Sequence, residues 1–406
     1  MHKKLWNKDY TLLLQGSTVS TIGDLMYSVA IGYWVYQQTG SSGLMGIMSS
    51  ISMFVTMFLS PFCGSIVDKC NRKWLIVGID LVQGVLMLGV GVLAYINALN
   101  VPIVLIAALL AAFGSVFYSP AISTLMIDII PRDDMVRGQS IHSGINSLIN
   151  MVGTAFSGAM VAFFGVPLIV VINGISNLYS AVSELFVHVP KTRQQGTRIT
   201  VKGILLDSKE AVRTIFSNRF LRLFVPSALI VNLLDAGTFS LLLPFCMEKG
   251  FGVDWYGYLG FVNMAGYFLG TVLMGTVKLK PKARFWAMAL GFTGSVPMFL
   301  LAYLSKEFIP LCIFSFLGSF LNCVGNTVFN ASLMLALPEE NRSAILGFIQ
   351  SASVGSSALS AVIYGLLGDL FPLYLVFVVG NVLSFAPMLN LCFNPKTKEF
   401  VLNNCA

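Results

Sequence analysis

Runs of about twenty apolar residues recur from one end of this chain to the other, and each is long enough to cross the hydrocarbon core of a bilayer as a helix. Twelve such runs lie near residues 10 to 38, 43 to 67, 74 to 97, 101 to 127, 137 to 163, 166 to 188, 220 to 247, 253 to 277, 285 to 304, 309 to 336, 343 to 367 and 371 to 393. In lipid a spanning segment must satisfy its own backbone hydrogen bonds, so runs of this length read as helices. Composition agrees: 56% of the residues are hydrophobic and 11% charged, against about 25% charged in soluble domains. The mean hydropathy is +0.80. The expected fold is an all-α membrane protein with twelve transmembrane helices.

The placement of charge orients these helices. With the N-terminus inside, Lys249 and Lys306 are the only outward members of the 25 Lys and Arg residues, a strong positive-inside bias that puts both termini in the cytoplasm of a bacterial-type plasma membrane. The net charge of +7 therefore reports topology, and no nucleic-acid partner is expected. The segment before the first run carries Lys3, Lys4 and Lys8 with no small-residue cleavage site, so the first helix is expected to be retained. Seven cysteines are scattered without metal-ligand spacing, and neither a disulfide nor a metal is expected.

The longest polar stretch, Pro190 to Asn218, separates two halves of similar size. Its later part, Lys202 to Phe216, reads as an amphipathic helix on the inner leaflet. Residues 1–189 and 220–406 are the expected six-helix halves, with 190–219 as the cytoplasmic linker. Sliding the chain by 211 residues brings Asp24 onto Asp235, Gly46 onto Gly257 and Gly64 onto Gly275. The repeat predicts two pseudo-symmetric six-helix halves with a substrate path between them.

Between the second and third runs stands Gly64-Ser65-Ile66-Val67-Asp68-Lys69-Cys70-Asn71-Arg72-Lys73. The spacing of the glycine, acid and trailing bases resembles the signature loop of the major facilitator superfamily of transporters. Asn71 stands where that family usually has Gly, and Asn tolerates positive φ. Within the superfamily, Ser20 to Asp24, Asp80 with Leu81, Tyr118 to Ala121, and the linker from Glu210 to Leu221 resemble macrolide-efflux-like and lysophospholipid-transporter-like proteins. Two departures stand out. The second-half loop, Gly275 to Lys280, lacks the acid, and Val152-Gly153-Thr154 occupies the place of the Gly-Pro motif common in drug antiporters. The resemblance implies a carrier working by alternating access, and a cytoplasmic gate in which Gly64, Asp68, Arg72 and Asp128 hold the outward-open state. Solvated loop charges are the alternative for the three ionic residues.

Asp24 and Asp235 are the leading coupling candidates, because a carboxylate near mid-membrane is costly and usually faces a cavity. Each could bind a proton or a cationic substrate, or accept fixed hydrogen bonds from Ser20, Asn232 or Thr238. Tyr27 and Tyr118 are placed for a central cavity. His142, Asn146 and Asn150 share one face of the fifth helix, as a cavity wall or as interhelical glue. Glu184, one turn from the end of its helix, reads as an acid snorkelling to the interface.

No phosphate-binding glycine loop, nucleophile with a base or zinc motif is present, so no enzyme activity and no cofactor are expected. The reading is a monomeric secondary transporter in contact with membrane lipids. It exports a small amphipathic or hydrophobic substrate, in exchange for protons. Lysolipid flipping on the same fold is the alternative, and a non-transporting sensor or scaffold ranks last.

Overall fold

The computed structural model describes residues 6–130, 135–188, 212–217, 221–276, 281–336, 342–395 and 398. Among them every regular element is helical: α1 (Lys8–Thr39), α2 (Ser42–Lys69), α3 (Arg72–Tyr95), α4 (Val101–Ile129), α5 (Met135–Phe164), α6 (Val166–Leu185), α7 (Leu221–Ser240), α8 (Leu242–Glu248), α9 (Val253–Thr276), α10 (Pro281–Leu304), α11 (Phe308–Ala336), α12 (Arg342–Leu370) and α13 (Leu373–Phe393). Ten of the described helices are long and apolar enough to cross a membrane by length and composition. The two other long helices, α1 and α5, are diluted by polar residues such as Gln15, Ser17, Ser20 and Asp24, and His142, Asn146 and Asn150.

The chain forms two compact units. The first comprises Met1–Gly40, Ile51–Thr200 and Val253–Gly257, and the second Ser41–Ser50, Val201–Gly252 and Tyr258–Ala406. The borders fall inside α2 and α9, so the first turns of these two helices group with the opposite unit from the rest of their length.

Helix ends are set by local chemistry. Asn7, Asn71 and Asn100 each accept a hydrogen bond from a backbone N–H three residues on, and so start α1, α3 and α4. Asn71 has φ −72°. It starts a helix as an N-cap, where the sequence suggested a positive-φ turn, because its amide oxygen satisfies an otherwise orphaned N–H. α1 ends at Gly40, whose φ of 63° suits a residue without Cβ.

The seventh apolar run is interrupted. α7 stops at Ser240, Leu241 takes φ −107° and ψ 16°, and α8 resumes for seven residues. Pro244 lacks the N–H that would bond the Ser240 carbonyl, which explains the break. α4, by contrast, runs unbroken through Pro120.

In the first unit Tyr10, Leu13, Val67, Ile76, Leu125 and Ile129 make a closed apolar cluster. α3 is two-sided: Asp80, Gln83, Gly84 and Met87 are buried, while Leu81, Val82, Val85 and Val92 are exposed. An apolar outer face with a polar inner one is what lipid solvation demands. In the second unit Phe224 stacks on Phe329, with ring centroids 3.9 Å apart. Ile215 packs against Leu221, Phe224, Val225 and Ile345. Most of the amphipathic segment expected over 202–216 lies outside the described residues. The part at 212–217 is helical, with Ile215 1% exposed and Phe216 55% exposed.

Acids also cap helices. Asp369 accepts from the Gly43 N–H at 3.0 Å and the Ser41 hydroxyl at 2.8 Å, closing the first turn of α2 within the second unit. Glu248 accepts from the Leu373 N–H at 2.8 Å at the start of α13. Lys249, outside the spanning helices, donates to the Tyr303 and Ser305 carbonyls at the end of α10. Burial pulls its ammonium below the usual lysine range.

Candidate functional site

In the first unit one face of α6 is polar and buried: Asn173, Ser176, Asn177, Ser180 and Glu184. This spacing follows the 3.6-residue period, so the five side chains form a single stripe. α1 packs on it through glycine. A Cβ on Gly23 would stand 2.1 Å from the Ser176 hydroxyl and 2.8 Å from the Asn173 amide oxygen. Gly23 therefore lets α1 approach closely enough for the next residue, Asp24, to meet α6. The Asn177 amide donates to the Asp24 carboxylate at 3.3 Å and to the Asn173 amide oxygen at 2.9 Å. Asp24 as a whole residue is exposed, with its carboxylate held by Asn177. Tyr27, one turn on, is buried, with no hydrogen-bond partner for its hydroxyl.

Nearer the end of α6 a second acidic centre joins three helices. Tyr118 of α4 stands with its hydroxyl 3.1 Å from Glu184 Oε1 and 3.4 Å from Asp80 Oδ2 of α3. Ser180 donates to Glu184 Oε1 at 3.5 Å. Asp80 is 1% exposed and Glu184 0%. Glu184 therefore lies inside the helix bundle, contrary to the snorkelling expected from its place near a helix end. Position along a helix says nothing about which way a side chain is turned, and the period of the α6 stripe carried that information. Tyr118, assigned from sequence to a central cavity, instead bridges two acids.

Of the expected gate residues, Arg72 and Asp128 meet: Arg72 Nη1 lies 2.6 Å from Asp128 Oδ2. Gly64 and Asp68 fall in α2, but the Asp68 side chain lies outside the described residues. On α5, the Asn150 amide donates to the Asn146 carbonyl one turn back at 2.8 Å. Asn146 and His142 are half-buried and Asn150 is exposed.

In the second unit Asp235 sits at a cavity of about 480 Å³. Its Oδ1 is buried without a hydrogen-bond partner, and the Ser384 hydroxyl lies within hydrogen-bonding reach of the carboxylate. Five amides line the same space, Asn232, Asn263, Asn322, Asn326 and Asn381. Its apolar walls include Phe239, Phe299, Phe329 and Tyr267. Asn232 thus joins Asp235 as the sequence suggested, whereas Asn263, Asn322, Asn326 and Asn381 were missed. Asn322 and Asn326 are i and i+4 on α11 and bond each other at 2.7 Å, a spacing that was visible in the sequence. Aromatic walls with a few convergent polar groups suit an organic molecule with an apolar body and polar substituents. Among the described residues no group of three His, Cys, Asp or Glu side chains could hold a metal ion.

The sequence profile described as Major Facilitator Superfamily matches residues 13–352. Macrolide efflux protein A of Streptococcus pyogenes is 20% identical over 186 residues, which is 46% of this chain and 46% of that protein. The chain thus aligns with about half the length of that relative. BacE of Bacillus amyloliquefaciens, which carries the name of a bacilysin exporter, is 25% identical over 290 residues, 64% of this chain and 69% of the relative. Among solved structures, a bacterial homologue of the human lysosomal transporter Spinster matches with a TM-score of 0.71 at 15% identity, covering 98% of this chain and 97% of that one. At that identity the likeness is one of fold.

Proposed function

The chain belongs to the Major Facilitator Superfamily of transporters, and from that premise we propose that it exports a small amphipathic or hydrophobic molecule by alternating access, in exchange for protons. The observation that carries this reading is the cavity around Asp235, where aromatic walls, five amides and a carboxylate with one unpartnered oxygen converge. Asp24 is the counterpart acid of the first unit, held by Asn177. An acid that takes up a proton as it releases cargo, and the reverse, couples the two flows. Efflux relatives favour the outward direction.

On this reading the protein is a monomer in the plasma membrane with both termini cytoplasmic. The halves are the six-helix segments 1–189 and 220–406, joined by the linker 190–219. Arg72, Asp128 and Asp68, with Gly64, form the cytoplasmic gate, and His142, Asn146, Asn150, Tyr27 and Asn232 contribute to the substrate path.

The test is flux in proteoliposomes with and without an imposed pH gradient, for the parent, Asp24→Asn, Asp235→Asn and the double variant. A cationic amphipathic dye and a labelled lysolipid serve as alternative cargoes. Asp24→Asn should abolish uphill export and keep downhill movement, because the amide imitates a permanently protonated acid. Uphill pumping by the double variant would sink the coupling assignment. Movement of the lysolipid and not the dye would replace the export reading by lipid flipping.

A further inference from the structure

The two acids bridged by Tyr118 have no part in that exchange scheme, and their surroundings leave their charge unbalanced. We infer that Asp80, Tyr118 and Glu184 hold one exchangeable proton inside the first unit, at a site separate from Asp24 and Asp235.

A tyrosine hydroxyl has one proton to donate, yet the Tyr118 oxygen lies 3.1 Å from a Glu184 oxygen and 3.4 Å from an Asp80 oxygen. It can donate to one of them. The other contact becomes a full two-centre hydrogen bond when that carboxyl carries a proton and donates it to the tyrosine oxygen. With two bare carboxylates, one contact would set a buried negative oxygen against an oxygen lone pair, in surroundings where such an arrangement is strongly unfavourable.

Charge balance leads to the same place. Among the described residues no Lys, Arg or His nitrogen lies within 4 Å of either carboxyl. Lys73, on the same helix as Asp80, donates to the Leu185 carbonyl at 2.7 Å, and Arg72 pairs with Asp128. Tyr10 of α1 donates to the Gly138 carbonyl. The titratable groups acting on the pair are Tyr118 from α4 and Asp24 from α1, the latter adding negative charge near Asp80. Glu184 Oε2 is buried with no partner at all, a position that a carboxylic acid tolerates and a carboxylate does not. Two adjacent carboxyls without a cation commonly share a proton for this reason.

The site is also peculiar to one half. α10 and α13, which occupy the places of α3 and α6 in the repeat, contain no Asp or Glu. The repeat scaffold therefore does not require these acids for packing.

The proton can move within the pair without a net change in Tyr118. Glu184 gives its proton to the tyrosine oxygen while the tyrosine gives its own to Asp80, so one carboxyl empties as the other fills. Release to water leaves two carboxylates and one hydroxyl, a state favoured only if the unit opens. This inference rests on the proton-exchange reading for its role in transport, although the proton site itself does not.

Infrared spectra of the purified full-length protein in lipid nanodiscs, recorded as pH is raised, test it directly. The parent should lose a carboxylic-acid C=O stretch that is absent from the spectra of Glu184→Gln and of Asp80→Asn, each amide removing the like charge that retains the proton. Asp24→Asn and Asp235→Asn should keep that band. Tyr118→Phe should shift its frequency, since the hydroxyl that bonds the acid is gone. If Glu184→Gln and Asp80→Asn retain every titrating C=O band of the parent, the inference is overturned, and an unshifted band in Tyr118→Phe removes the bridging role. A protein with the band but no flux driven by a pH gradient would refute proton exchange and leave the site standing. Gradient-driven flux without the band would do the opposite.

Discussion

The contact between Arg72 and Asp128 can be weighed by a double-mutant cycle. At 2.6 Å, two unit charges attract by about 6 kcal/mol at an effective dielectric constant of about 20. Against that stands desolvation, since the Asp128 side chain is 7% exposed and that of Arg72 23%, and the loss of a long side chain's freedom. A charge-assisted hydrogen bond in such a half-open place nets about 1.5 to 3 kcal/mol. Arg72 has further contacts, so Arg72→Gln alone should cost more than the pair is worth, and only the cycle with Asp128→Asn and the double variant isolates the coupling. Cys63, Cys246, Cys323 and Cys392 are buried free thiols, so labelling them along a denaturant titration reports unfolding. A coupling energy below about 0.5 kcal/mol would place this contact among solvated ion pairs and remove the physical basis for a gate at this point. A coupling in the expected range, with faster opening of the inner mouth in Asp128→Asn, fits a contact that breaks once per cycle.

Other outcomes follow from single contacts. A Cβ on Gly174 would lie 2.8 Å from the Leu88 backbone nitrogen, so Gly174→Ala should force α3 and α6 apart and cost about 1 to 3 kcal/mol in unfolding assays. Gly89, with nothing within 4 Å, should accept Ala without loss, and equal behaviour of the two would refute the close-packing account. Asp369→Ala should lower stability by about 1 kcal/mol through loss of the α2 cap. Asp369→Asn, which keeps an acceptor, should lose less, as thermal melts in detergent would reveal. Single cysteines beside Gly40 and Glu307 should react with an impermeant thiol reagent from outside, while ones beside Lys69 and Arg198 should not; reversed labelling would overturn the orientation.

The helices were legible because their signal is one-dimensional: a long apolar run has few alternatives in a bilayer, and its ends are marked by residues such as Asn7, Asn100 and Gly40. The break after Ser240 was masked because hydropathy averages over it, although Pro244 stood in plain view. For the site, alignment of the two halves found Asp24 and Asp235 as a matched pair, and the same alignment hid Asp80 and Glu184, which have no partners in the second half. A symmetric signal favours what both halves share. What distinguishes one half from the other lies in the rotation of a helix about its own axis, and in α6 that rotation is written in the small polar residues Asn173, Ser176, Asn177 and Ser180 that precede Glu184. Each is unremarkable alone. Their common face turns an acid that looked interfacial into a buried one, and it sets Tyr118 from another helix between two carboxyls. In a two-fold repeat of this kind, acids that break the symmetry and lie on such a stripe are therefore the first place to look for chemistry that the scaffold alone does not need.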